Sequence, residues 1–129
     1  MKLQKILILT LIAPLFGLPK FVLAEGDWKV GRVYYRMVCT ACHVDTSAGS
    51  IAPNTRTKAE WAAYVEADKH ADGKDTLTYQ VSKEYRNSIK DTNRAAERYI
   101  DKPTEELLED VKAFLIYGAK DSDNPAGCS

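Results

Sequence analysis

The sequence predicts an all-α fold, a small domain of about four helices. Three observations predict it. Trp28, Val30, Val33, Tyr34, Met37 and Val38 recur mostly at three- and four-residue intervals, the spacing of one helix face. Thr57-Lys58-Ala59-Glu60 has the form of a capping box and leads into Trp61, Tyr64 and Val65 on one face. Further on, Pro103-Thr104-Glu105-Glu106 reads as a helix start, with Leu107, Leu108, Val111, Phe114 and Leu115 as the apolar face behind it.

Residues 1–24 read as a leader rather than as part of that domain. Lys2 and Lys5 form a basic head, residues 6–18 are an almost purely apolar run, and Val22-Leu23-Ala24 places small residues where a signal peptidase cuts. The apolar run is 13 residues long and is interrupted by Pro14, short of the ~20 residues a membrane-spanning helix needs. The expected product is residues 25–129, a single domain with 15 Lys and Arg against 18 Asp and Glu, a net charge of −3. That mildly acidic balance and the lack of a basic stripe exclude a nucleic-acid binder. With no later apolar run long enough to span a membrane, the expected location is the periplasm or the cell exterior.

The first helix is expected over residues 27–40. Gly31 lies within it at a cost of ~1 kcal/mol against alanine, which points to the close approach of another helix. The helix leads into Cys39-Thr40-Ala41-Cys42-His43. Cys-x-x-Cys-His is the pattern of covalent haem c attachment. On a helical turn the two sulfurs can reach one porphyrin edge, and the adjacent imidazole can turn to the iron. Cys39 and Cys42 are therefore the candidate thioether anchors and His43 the candidate proximal iron ligand.

Two other uses of the motif fit the chain less well. A Cys39–Cys42 redox disulfide normally sits in a βαβ setting, and nothing here has that pattern. A zinc site needs four ligands, and His70 and Cys128 are the only other His or Cys residues.

The second helix is expected to follow the capping box, with Trp61 and Tyr64 in the core or on the haem pocket wall; Trp61 is also a candidate donor to a propionate. His70 lies nine residues beyond Trp61, roughly 900° on an ideal helix and so half a turn out of phase with the apolar face. The objection lapses if the helix ends near Ala71-Asp72-Gly73. A third helix is expected over residues 83–100 from Tyr85, Ile89, Thr92, Ala96 and Tyr99, with its charges solvated or offered to a partner. The last helix is expected to stop at Gly118. Residues 119–129 are expected to be a flexible tail, carrying Cys128 as a free thiol or a crosslink between two copies.

The run Gly31-x-x-x-Tyr35-x-x-x-Cys39-x-x-Cys42-His43 resembles the first helix of class I cytochromes c. Val111-x-x-Phe114-Leu115 resembles the last helix of that family, and Pro53 is similar to the proline whose carbonyl holds the proximal imidazole. Together these cover roughly half of residues 25–129. The resemblance implies helices wrapped round one haem and single-electron transfer between redox partner proteins, including a multihaem or membrane electron-transfer complex. One departure stands out: the family's distal methionine has no counterpart, because no methionine follows Met37. Met37 lies on the attachment helix and is read as a packing residue. His70 is the first candidate for the distal ligand; water, an open position, Lys, Tyr or Cys128 are the alternatives. An open position would instead suit a haem enzyme or a gas or redox sensor.

Overall fold

The computed structural model describes residues 25–43, 51–70 and 75–127, with Cys42 described by its backbone alone. The leader read at residues 1–24 and the cysteine at 128 lie outside the described residues. Among the described residues the regular structure is helical, with a single isolated bridge between His70 and Asp75 in place of any sheet. No described helix is long and apolar enough to cross a membrane.

The helical run that begins at Asp27 has three parts. α1 (Trp28–Tyr34) starts where the Asp27 carboxylate accepts from the Lys29 N–H at 2.8 Å, a side-chain cap for a donor the helix cannot satisfy itself. A π-helical turn (Tyr35–Cys39) follows, and α2 (Thr40–His43) carries the chain to the histidine. The single helix expected over residues 27–40 is thus continuous in path but widened at its centre. Such turns are rare and occur often at functional sites.

α1 is clamped to the last helix, α7 (Thr104–Tyr117). A Cβ on Gly31 would lie 1.9 Å from the Asp110 carbonyl oxygen, so the two backbones meet at a distance that only glycine permits. Trp28 stacks on Tyr117 with ring centres 4.1 Å apart, and Tyr35 meets Phe114 at 5.5 Å. Asp110 adds a polar pin. It is buried, accepts from the Asp27 N–H at 2.7 Å, and pairs with Lys102 at 3.0 Å. That hydrogen bond is the main reason the Lys102 ammonium is held above its ordinary pKa.

α3 (Lys58–Ala67) opens on the expected capping box, with Thr57 Oγ1 accepting from the Glu60 N–H and the Glu60 carboxylate accepting from the Thr57 N–H. It buries Trp61 and Val65. α4 (Leu77–Val81), which the sequence reading did not foresee, is capped by Thr76 and buries Leu77 and Val81.

The helix expected over residues 83–100 is two. α5 (Lys83–Ile89) and α6 (Arg94–Arg98) are separated at Asn93. Its backbone turns extended, and its side chain accepts from the N–H groups of Ala95 and Ala96. An Asn favours that capping role over a place inside a helix. Arg86, fully buried on α5, ties the pieces together by donating to the carbonyls of Ser82, Tyr99 and Lys102. The expected four helices are therefore seven α segments among the described residues, besides the π turn and a 3-10 turn (Pro53–Thr55).

The core lies between α1, α3, α4 and α7, with Tyr34, Val81, Leu107, Val111 and Leu115 at its centre. Fully burying one such aliphatic side chain contributes roughly 1.5–3 kcal/mol. The segment after Gly118, expected to be a loose tail, is held at several points. The Gly118 carbonyl accepts from Ala126, the Ala126 carbonyl accepts from Asn54, and Lys120 donates to the Arg56 carbonyl. Asp121 accepts from the Lys58 N–H at 2.8 Å.

Candidate functional site

A cavity opens where the end of the first helical run faces α3, α4 and α7. Val38, Cys39 and His43 come from the first run, Trp61 and Tyr64 from α3, Leu77 and Gln80 from α4, and Val111 and Leu115 from α7. His70, from the segment after α3, also lines the cavity. The lining is largely apolar with a few converging nitrogen and oxygen atoms, the usual make-up of a small-molecule or cofactor site.

The two histidines are the only ones in the chain, and their ring centres are 5.8 Å apart with planes 63° to each other. His43 reaches the cavity as the last residue of α2. Its Nδ1 is buried without a hydrogen-bond partner. Burial holds its pKa below the ordinary value, and the nearby His70 pushes the same way. Both effects favour the neutral ring, the form in which an imidazole binds metal.

His70 is positioned over a longer stretch of chain. α3 stops at Ala67 because Asp68 takes a left-handed backbone, φ 48°. The Asp68 carboxylate accepts from the Thr78 N–H at 2.8 Å, which ties the turn to α4. Two residues on, His70 exchanges backbone hydrogen bonds with Asp75 in both directions, at 2.9 and 3.2 Å. The ring is then held from α3, where the Tyr64 hydroxyl and His70 Nδ1 are 2.9 Å apart. The phase objection to His70 disappears, since the helix ends before it.

Three expectations need correction. Pro53 does not hold the imidazole of His43: its carbonyl accepts the Trp61 indole N–H at 2.7 Å. A buried indole needs an acceptor, and α3 brings Trp61 to this one. Its sole N–H is thereby used, so Trp61 packs in the core and has no donor left for a propionate. Met37 was read as a packing residue, but its side chain is 41% exposed.

The sequence reading did not assign the Tyr64 contact, nor Arg56, whose guanidinium lies 5.0 Å from the Trp61 ring centre and 4.8 Å from that of Tyr64. It also missed Leu77 and Gln80. Thr76 followed by apolar residues at 77 and 81 was the available signal for the helix that carries them. Among the described residues no three His, Cys, Asp or Glu side chains gather in a way that could hold a metal ion. No protein-family model matches the chain, and no curated protein and no solved structure matches it.

Proposed function

We propose that the chain is an exported, monohaem c-type cytochrome that carries single electrons between redox partner proteins. Haem c would be held by Cys39 and Cys42, with His43 and His70 as the residues that would bind its iron. One observation carries the reading: the chain's two histidines line one cavity with Cys39, their ring centres 5.8 Å apart.

The spacing fits. A metal bonded to one nitrogen of each ring at ~2 Å, with each ring centre ~1 Å farther out, places the centres ~6 Å apart. Two protein donors are few for a bare ion and sufficient for a metal that brings its own equatorial nitrogens. Bound there, haem iron supplies a reversible one-electron change. The residues of the chain do the rest. Burial of His43 disfavours its protonated form, which would otherwise compete with metal for the lone pair. Val38, Leu77, Val111 and Leu115 give the cavity apolar walls, and two imidazoles as ligands would favour a low potential. No bond-making chemistry is assigned to any side chain.

The test is the absorbance spectrum of the dithionite-reduced protein, made in a host able to attach c-type haem, before and after carbon monoxide. A sharp low-spin c-type spectrum that carbon monoxide leaves alone is expected. A shift on adding carbon monoxide would move the assignment to a haem enzyme or sensor with an open distal position. A colourless protein would sink both.

A further inference from the structure

We propose that Tyr64 is a positioning residue for His70: it accepts a hydrogen bond from Nδ1–H, leaves Nε2 as the nitrogen that binds iron, and so biases the site toward the ferric state. The inference rests on the reading of His43 and His70 as the two axial ligands.

A neutral imidazole carries one N–H. With Nε2 on a metal the proton must be on Nδ1, and the atom 2.9 Å from Nδ1 is the Tyr64 hydroxyl oxygen. That oxygen is well placed because its ring is fixed. Tyr64 sits on α3, packs edge-on against Trp61 with ring centres 5.8 Å apart, and has the Arg56 guanidinium over its face. The backbone of His70 is fixed separately by its two hydrogen bonds to Asp75. Backbone and ring are thus held by different elements, which leaves the imidazole little freedom to swing away.

The electronic consequence follows from the direction of the hydrogen bond. An acceptor on Nδ1–H draws the proton outward and makes Nε2 a stronger donor. Ferric iron gains more from a stronger donor than ferrous iron does, so the contact lowers the potential. His43 has no such partner at Nδ1, so Tyr64 distinguishes the two imidazoles. The opposite arrangement, Tyr64 donating to a bare Nδ1, would put the proton on Nε2 and bar His70 from the metal.

The experiment is Tyr64→Phe in the haem-loaded full chain, beside the unaltered protein and His70→Ala. Tyr64→Phe keeps the ring and removes the acceptor. Outer-sphere partners of this kind alter metal affinity by roughly tenfold or more, so we expect a low-spin spectrum, a higher midpoint potential and a spectral shift with carbon monoxide that the unaltered protein does not show. A tenfold change in the ferric-to-ferrous preference corresponds to ~59 mV for one electron. An unchanged potential with unchanged carbon monoxide binding would overturn the role of Tyr64 alone. If His70→Ala leaves the resting spectrum as it was, the axial-ligand reading fails and takes this inference with it. Should Tyr64→Phe not accumulate as a loaded protein, the reduced unaltered protein still decides by nuclear magnetic resonance. A slowly exchanging His70 Nδ1 proton supports the contact, and its absence overturns it.

Discussion

The two sides of the cavity are built by different means. His43 is delivered locally: it ends a helical run that begins sixteen residues earlier, at Asp27, and the first part of that run, α1, is clamped to α7. His70 is delivered by a turn and three outside supports, the Asp68 tie to Thr78, the bridge to Asp75 and the Tyr64 hydroxyl. The first side draws its order from helix packing, which also holds up the rest of the fold. The second draws it from a few polar contacts that serve little else. Damage to the first should therefore lower the stability of the whole fold, whereas damage to the second should loosen one histidine.

Gly31→Ala tests the first side and should have the largest effect. The added Cβ would meet the Asp110 backbone carbonyl at 1.9 Å, a partner that cannot turn aside as a side chain can. Alanine favours the helix by ~1 kcal/mol, but overpacking of a rigid contact costs ~3 kcal/mol or more. The expected net loss is about 2 kcal/mol, a sizeable part of the ~5–15 kcal/mol that holds a domain together. Urea unfolding would read it as a lower midpoint with an unchanged slope. A variant as stable as the parent would mean that the helices part without strain.

Asp68→Ala tests the second side. Alanine is disfavoured in the left-handed region by ~1 kcal/mol, and losing the acceptor for the Thr78 N–H costs about another 1 kcal/mol. The global loss should be below that of Gly31→Ala, because the turn can open without separating α1 from α7. Amide hydrogen exchange would show where it falls. The N–H groups of His70 and Asp75 should exchange faster while those of α1 keep their protection. Equal acceleration in both places would mean that the two sides are one cooperative unit.

The same difference governs what could be read from sequence. Cys39 and His43, which both line the cavity, could be singled out because Cys-x-x-Cys-His is a pattern of fixed spacing, and Gly31 because a glycine inside a helix asks for a reason. His70 could be named by elimination, but its supports could not. They join residues six, five and ten positions apart, Tyr64 to His70, His70 to Asp75 and Asp68 to Thr78, and no helical or strand period marks such pairs. α4 is only five residues long, too short for apolar periodicity to register. The π turn escaped for a related reason: a spacing of three to four residues accommodates one widened turn without a visible break. At residues 83–100 the spacing from Tyr85 to Tyr99 runs straight across the gap between α5 and α6, so periodicity concealed a boundary that Asn93 alone signalled.

Asn93 links the helical segments to the widened turn, and its replacement should give the smallest of these effects. Its Oδ1 caps α6, while its Nδ2 donates to the Met37 carbonyl at 2.7 Å, in the π turn. Asn93→Ala removes both contacts and should cost about 1 kcal/mol. Asn93→Asp keeps an acceptor for the cap, places a negative charge at a helix N-terminus that favours it, and removes only the donor to Met37. Thermal unfolding of the pair separates the two roles. If Asn93→Asp regains most of the stability, the cap is what matters and the break between α5 and α6 is a local choice of the chain. If it remains as low as Asn93→Ala, the bond to Met37 carries the effect. The widened turn, and with it the placing of Cys39 and His43, would then be held from a segment more than fifty residues away.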